Sequence, residues 1–248
     1  QAVEVLASTP KVELRLMLDG VVDGYESYEA AVATQSPEPL EEDRVAGLDM
    51  LYSSGTTGMP KGITRPFPNA PLGAPSGVTP LMQMLFAMDE TKRYLSPAPF
   101  YHAAPLRFCL ATHALGATIV AMEHFDAEEY LRLVDDYDIT HSQVVPTMFV
   151  RMLKLPEATR TKHDVSSLEC VIHAAAPCPV PVKQQMIEWF GPVIREYYAG
   201  SEGNGFVYCD SAAWLAHPGT VGSPIGCVVH IVGEDGEELS QGESGTVY

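Results

Sequence analysis

Ten consecutive residues, Ser53 to Gly62 (SSGTTGMPKG), hold three glycines, four hydroxyl side chains, a proline and a lysine, directly after an apolar run. Glycines let backbone N–H groups approach an anion closely, hydroxyls add donors, and a lysine adds charge. Ser53, Ser54, Gly55, Thr56, Thr57, Gly58 and Lys61 therefore bring together the ingredients of a polyphosphate cradle. The plain alternative is a Gly/Ser surface turn with Lys61 simply exposed. A P-loop is disfavoured, because its lysine is followed by Ser or Thr to hold magnesium, whereas Gly62 follows Lys61 and Pro60 precedes it. Further along, PAPFYHAAP carries Phe100 and His102, HAAAPCP carries Ala174, Ala175, Ala176 and Pro177, and YYAGSEG carries Tyr198, Ala199, Gly200, Ser201, Glu202 and Gly203. A carboxylate set between glycines suits a metal or a cluster of donors. Taken singly, His102 could be a satisfied loop histidine and Glu202 a cap or solvated carboxylate.

The elements that must position these residues follow from periodicity. AGLDMLYSS is a short apolar run entering the Gly-rich loop, and KGITRPF continues as a strand. GVTPLMQMLFAM has helical apolar spacing, TKRYLSPAPFYH reads as a strand running into a loop, and AAPLRFCLATHALGA reads as a buried helix with Gly116 near its end. ATIVAM is a strand, Asp126 caps the helix AEEYLRLVDDYD, and ITHSQVV is a strand broken at Pro146 before the helix TMFVRMLKL. SLECVIHAAA is a strand entering a Pro-rich turn, VPVKQQMIEWFG a helix, and VIREYYAGSEG a strand entering a Gly-rich loop. Adjacent Tyr197 and Tyr198 face opposite sides of that strand, one toward the core and one free to stack. Strands alternating with helices predict an α/β fold, a mixed and largely parallel sheet covered by helices. CVVHIV, GEDGEEL and ESGTVY predict a β-meander at the C-terminal end. The expected division is a leading segment 1–47, an α/β core 48–225 and the start of a β subdomain 226–248. Within the leading segment, KVELRLMLDG reads as a strand and GYESYEAAVATQ as a short helix before the acidic link SPEPLEEDR.

The chain has 248 residues, 46% of them apolar and 19% charged, ordinary for a globular protein with a sizeable core. A net charge of −17 argues against a nucleic-acid surface, because phosphate backbones select basic stripes. No uninterrupted apolar run is long enough to span a membrane, so membrane contact would be peripheral at most. Five cysteines form no CxxC pair and most sit among apolar residues, which fits a reducing, cytoplasmic setting.

The loop YSSGTTGMPKG resembles the phosphate-binding signature of the adenylate-forming superfamily, which comprises acyl-CoA synthetases, adenylation domains of peptide synthetases and luciferases. Three further motifs follow in the family's order. PAPFYHAAP is similar to the aromatic-His segment beside the acyl pocket, HAAAPCP to the segment whose backbone frames the adenine, and YYAGSEG to the Tyr-Gly-x-Thr-Glu motif. The stretch GNGFVYCDSAAWLAHPGTVGSP is most similar to fatty-acyl-CoA ligases. The similarity runs from about Leu48 onward.

This resemblance implies the large domain of an acetyl-CoA synthetase-like enzyme, here in part, that uses ATP, Mg²⁺ and coenzyme A. A carboxylic acid and ATP would give acyl-AMP and pyrophosphate, and coenzyme A would then take the acyl group as a thioester. By position, Ser53, Ser54, Gly55, Thr56, Thr57, Gly58 and Lys61 would hold the β- and γ-phosphates, with Thr57, Lys61 and Glu202 in the catalytic roles. Ala174, Ala175, Ala176 and Pro177 would frame adenine, and Tyr198 would stack on it with Ala199 beside it. Ser201 would meet the α-phosphate, Glu202 would hold Mg²⁺, and Phe100, His102, Gly200 and Gly203 would line the acyl site. Ser201 stands where threonine is usual, and Ala174 and Ala175 stand where glycines are common, narrowing the adenine slot. The family's ribose-binding aspartate, hinge and C-terminal lysine have no counterpart, so an internal fragment, inactive by itself, is expected. Two alternatives remain open: an adenylation domain passing its acyl group to a carrier protein, and a non-catalytic nucleotide-binding module. Acyl substrate and oligomeric state are open as well.

Overall fold

The computed structural model describes residues 2–38, 44–53, 59–67, 69–74 and 77–248. The chain divides into two compact units, residues 1–44 and 45–248. The first holds a 3-10 turn at Val3–Val5, two parallel two-residue strands, β1 (Leu16–Met17) and β2 (Glu26–Ser27), and helix α1 (Tyr28–Ala33). Ser27 caps α1 by accepting from the Ala30 N–H at 3.2 Å. The strand expected over KVELRLMLDG shrinks to two residues, and no described residue of this unit is buried. An apolar face is what a longer strand would have needed. Residues 39–43 of the acidic link lie outside the described residues.

The second unit opens with an antiparallel hairpin, β3 (Leu51–Ser53) and β4 (Lys61–Ile63), then helix α2 (Thr79–Phe86). Strand β5 (Arg93–Ser96), helix α3 (Ala103–Ala114), strand β6 (Thr118–Ala121), helix α4 (Ala127–Asp136) and strand β7 (His141–Val144) follow. Next come helices α5 (Pro146–Leu153) and α6 (Glu157–Arg160), strand β8 (Cys170–His173), helix α7 (Val180–Phe190) and strand β9 (Ile194–Ala199). Strand β10 (Phe206–Asp210), helix α8 (Ser211–Ala216), and strands β11 (Ser223–Pro224), β12 (Ile231–Val232) and β13 (Thr246–Val247) complete it.

Seven strands form one sheet in the order β11-β10-β9-β8-β7-β5-β6. From β6 to β9 the pairing is parallel, and β10 and β11 add antiparallel at one edge. All four residues of β7 and all four of β8 are buried, as expected for parallel strands covered on both faces. Alternation sorts their side chains. Leu95, Val144, Val171 and Ile194 point into a core shared with α4, α5, α7 and α8, through Tyr130, Phe149, Met186 and Trp214. Tyr94, Cys170 and Ile172 point the other way, toward Met82 and Phe86 of α2 and Phe108 of α3. The expected mixed, largely parallel α/β architecture is the observed one.

Several local expectations are refined. Pro146 does not merely end a strand; it is the first residue of α5, where its missing N–H costs nothing. The helix expected to be buried, α3, is only half so: Leu110 is 55% exposed. The strand–helix pair β10–α8 had no expectation attached. The C-terminal meander reduces to β12 paired antiparallel with β13, plus a bridge from Val232 to Glu238. Among the described residues, no helix is long and apolar enough to cross a membrane.

Asp126 begins α4 as expected, its Oδ1 accepting from the N–H groups of Glu128 and Glu129 at 3.0 and 2.9 Å. Asp126→Ala should lower stability by about 1 kcal/mol, the usual worth of an N-cap, read as a shift in the denaturant midpoint with unchanged slope.

Candidate functional site

In an open parallel sheet, ligands sit outside the carboxyl ends of the strands, where the winding direction reverses. Here β5 pairs with β6 on one side and β7 on the other, so the reversal falls between β5 and β7. Because β5, β8 and β9 run parallel, the segments after them leave the sheet from one edge. The segment after β5 carries Phe100 and His102, that after β8 carries Ala174, Ala175, Ala176 and Pro177, and that after β9 carries Gly200, Ser201, Glu202 and Gly203. The last two leave neighbouring strands; the first is one strand removed.

His102 is the N-cap residue of α3, but its side chain makes no capping bond; the ring lies exposed, 4.5 Å from the Tyr101 ring. Phe100 is exposed as well. Ala174 is buried, while Ala175, Ala176 and Pro177 are exposed. Ala175 has φ +74°, the left-handed region that a Cβ disfavours. An alanine where glycine would be comfortable thus narrows the turn and also strains it.

The two tyrosines of β9 divide their faces. Tyr197 lies against Phe206 and Phe108, ring centroids 5.2 and 6.0 Å away and planes within 14° of parallel. Burial pushes its hydroxyl up to about 12. Tyr198 is 53% exposed, its ring free for a ligand. Beyond it the chain turns at Gly203, φ +81°, whose N–H donates to the Gly200 carbonyl at 3.1 Å. Glu202 is exposed, and its carboxylate folds back over Gly200, where any Cβ would sit 3.1 Å from Oε2.

The hairpin β3–β4 stands outside the large sheet. Ser53 and Lys61 are register partners across it, and the Lys61 side chain is exposed. Ser54, Gly55, Thr56, Thr57 and Gly58 lie outside the described residues. Two arginines moor the hairpin. Arg107 of α3 grips Asp49 just before β3, through Nε at 3.0 Å and Nη2 at 2.8 Å. Arg65, just after β4, donates from Nη2 to the Ser201 carbonyl at 3.0 Å. The second contact joins the phosphate-type loop's hairpin to the segment carrying Ser201 and Glu202.

Below these segments lies a polar cluster that sequence reasoning missed. Lys183 of α7 is fully buried and its Nζ meets Glu196 Oε2 of β9 at 2.5 Å. His173, the last residue of β8 and also fully buried, has Nε2 3.5 Å from the same oxygen, and neither ring nitrogen makes a hydrogen bond among the described residues. Burial, reinforced by the Lys183 charge, holds the His173 imidazole down to about 3, so it is neutral and the contact with Glu196 is not an ion pair. Burial also pushes the Cys178 thiol up to about 11, leaving it unreactive. The cluster had a signal: Lys183 falls on the stripe Lys183, Met186, Ile187, Phe190 of α7, and Glu196 shares the buried face of β9 with Ile194. A charge on each of two apolar faces marks both residues as out of place, without saying that they meet. Among the described residues, no group of three or more His, Cys, Asp or Glu could hold a metal ion.

The protein family described as AMP-binding enzyme matches residues 1–248. The 2-succinylbenzoate–CoA ligase of Bacillus licheniformis is 28% identical over 219 residues, 84% of this chain and 42% of that protein. The medium/long-chain-fatty-acid–CoA ligase FadD8 of Mycobacterium tuberculosis is 31% identical over 182 residues, 70% of this chain and 29% of that protein. Among solved structures, the amide bond synthetase McbA from Marinactinospora thermotolerans superposes with a TM-score of 0.73 at 23% identity, over 99% of this chain and 49% of that one. The O-succinylbenzoate coenzyme A synthetase of Bacillus subtilis, in complex with AMP, gives 0.65 at 23% identity, over 80% and 39%. These likenesses carry the fold; the chain spans less than half the length of each relative named.

Two outcomes follow from the strained alanine and the buried imidazole. Ala175→Gly should raise stability by up to about 1 kcal/mol, the left-handed strain relieved exceeding the added freedom of the unfolded chain; an unchanged or lower denaturation midpoint would contradict it. For His173, the unfolded imidazole gains a proton as pH falls through about 6.5 whereas the folded one resists until about 3, so stability is lost as pH falls. Between pH 6.5 and 4.5 that loss is about 2–3 kcal/mol, and His173→Gln should flatten the slope of unfolding free energy against pH in that window.

Proposed function

The chain belongs to the AMP-binding enzyme family, and from that premise we propose that the protein activates a carboxylic acid with ATP and hands the acyl group to coenzyme A. A carboxylate is a poor electrophile because its leaving group would be oxide. Attack of its oxygen on the α-phosphorus of ATP expels pyrophosphate and forms a mixed anhydride. The thiol of coenzyme A then attacks the acyl carbon and releases AMP. The observation that carries this reading is the common sheet edge, with exposed Tyr198 on the strand beside the one leading to Ala174–Pro177.

Adenylation demands positioning and charge neutralisation more than acid–base groups. Tyr198 stacks on the adenine that the Ala174–Pro177 backbone frames, with Ala199 alongside. The Ser201 hydroxyl donates to the α-phosphate. Ser53, Ser54, Gly55, Thr56, Thr57, Gly58 and Lys61 hold the β- and γ-phosphates and steady pyrophosphate as it leaves. Arg65, bonded to the Ser201 carbonyl, keeps that hairpin in step with the α-phosphate segment. Glu202 is a hard, exposed carboxylate lying close over Gly200, and it fits Mg²⁺, a cation that takes one or two carboxylates and completes its shell with phosphate and water. The metal supplies charge neutralisation on the phosphates. The −17 net charge does not oppose ATP, because local donors and the metal outweigh distant, screened charges.

Phe100 and His102 border the acyl site, and Gly200 and Gly203 leave it open. Exposed Phe100 and Tyr101 favour an apolar acid, a class represented among the relatives by a medium/long-chain-fatty-acid–CoA ligase, whereas the 2-succinylbenzoate ligase takes an aromatic acid with a second carboxylate.

ATP-dependent pyrophosphate exchange by the full-length protein, across a panel of fatty, aromatic and amino acids, tests this reading. Exchange should appear with apolar acids and fall on the order of 100-fold in Thr57→Val, the scale of losing one donor to developing charge. Exchange restricted to amino acids would turn the reading toward a carrier-protein adenylation domain, and no exchange with any acid toward a non-catalytic module. The 248-residue chain assayed alone should form no thioester.

A further inference from the structure

Among the described residues, the charged atoms of the buried Lys183–Glu196 pair meet each other, His173 and the Trp214 ring and no candidate nucleotide-binding residue, yet the pair sits where the nucleotide segments begin. His173 directly precedes Ala174, α7 starts three residues after Pro177, and Glu196 lies two residues before Tyr198 on the same face of β9. His173 and Glu196 are register partners in the parallel pairing. The pair therefore ties the start of α7 to β9 directly under the gap between the two segments.

Stability does not account for it. A buried ion pair is worth little more than well-packed apolar residues of the same volume, because both charges must leave water. Lys183 is the fourth residue of α7, where the positive end of the helix dipole opposes a cation. What a charged pair adds over an apolar one is direction and a fixed length. The 2.5 Å contact allows little sliding of α7 along β9, and the Trp214 ring, 5.2 Å from Nζ, closes the other side. The Phe149 ring stands edge-on at 5.5 Å from the His173 ring and blocks its retreat.

We propose that Lys183 and Glu196 are positioning residues: their pairing sets the separation between the Ala174–Pro177 turn and Tyr198, and so the fit of a purine nucleotide between them. His173 completes the floor as a neutral spacer. The inference rests on the nucleotide-binding reading of the site. It adds that affinity for the base is governed by a contact buried beneath the site.

The test uses the full-length protein carrying Lys183→Met together with Glu196→Leu, which removes both charges at nearly constant volume. Dissociation constants for AMP by calorimetry, KM for ATP, KM for the acid and kcat are compared with wild type, alongside circular dichroism and thermal melts. The double variant should melt within a few degrees of wild type, while the AMP dissociation constant and KM for ATP rise about tenfold and kcat at saturating ATP stays within about twofold, the pattern of lost nucleotide positioning. A folded double variant with unchanged AMP affinity and KM for ATP overturns the inference. Equal loss of affinity for acid and ATP, in step with a lowered melt, overturns it too, since a merely structural pair would do that. If the double variant does not fold, Glu196→Gln, of the same shape but uncharged, replaces it, and there an AMP affinity within twofold of wild type is the overturning result. Wild-type protein that binds no AMP defeats the functional reading and this inference together; wild type that binds AMP, with indifferent variants, defeats this inference alone.

Discussion

Five strands run parallel in this chain, from β6 through β5, β7 and β8 to β9, and the organisation of the site depends on that pairing. Parallel strands need crossovers, the crossovers here carry helices, and helices on both faces bury the central strands β7 and β8 completely. One consequence is directional. These strands end at the same edge, so segments separated by about a hundred residues of sequence emerge on one side of the sheet, as Phe100–His102 after β5 and Tyr198–Glu202 at the end of β9 do, with two strands between them. Another is that this edge is built of loops held on a rigid scaffold, the arrangement in which binding residues are usually displayed.

The scaffold is not purely apolar. His141, Ser142 and Gln143 of β7 are buried, and their burial is tolerated because partners exist: His141 Nε2 lies 2.6 Å from the Phe86 carbonyl, and the Ser142 hydroxyl donates to the Leu95 carbonyl at 2.9 Å. The floor of the candidate site follows a different rule. There Lys183 and Glu196 satisfy each other while His173 is left without a hydrogen bond among the described residues. Half-satisfied networks are costly, and they persist where geometry matters more than stability. The strained Ala175 immediately above belongs with it: two departures from local comfort lie within three residues of each other, at the root of the segment read as the adenine frame.

Among the described residues, the β3–β4 hairpin pairs only with itself. It contributes no strand to the large sheet, and two guanidinium groups take up that duty from opposite ends, Arg107 to Asp49 and Arg65 to the Ser201 carbonyl. Side-chain moorings of this kind fix the base of the hairpin from both ends.

The amino-acid sequence by itself determined most of the elements of the large sheet and suggested a chemistry for the segments between them. Period-two and period-3.6 patterns located β5 through β9 and helices α3, α4, α5 and α7 between them, though not the short α6, Asp126 marked the start of α4, and the composition of Ser53–Gly62 pointed to phosphate before any fold was known. These signals are legible because they are local: a cap, a stripe or a glycine acts within one turn or one strand. Pairing was not legible. The antiparallel addition of β10, the reduction of the tail to β12 and β13, and the mooring of Arg65 to Ser201, 136 residues apart, came only with the tertiary structure. So did the meeting of His173, Lys183 and Glu196. In the sequence each is a lone polar residue in an apolar stripe, and nothing local distinguishes a buried partner from a solvated one; only the register of β8 against β9 and the packing of α7 over both bring the three within reach of one another.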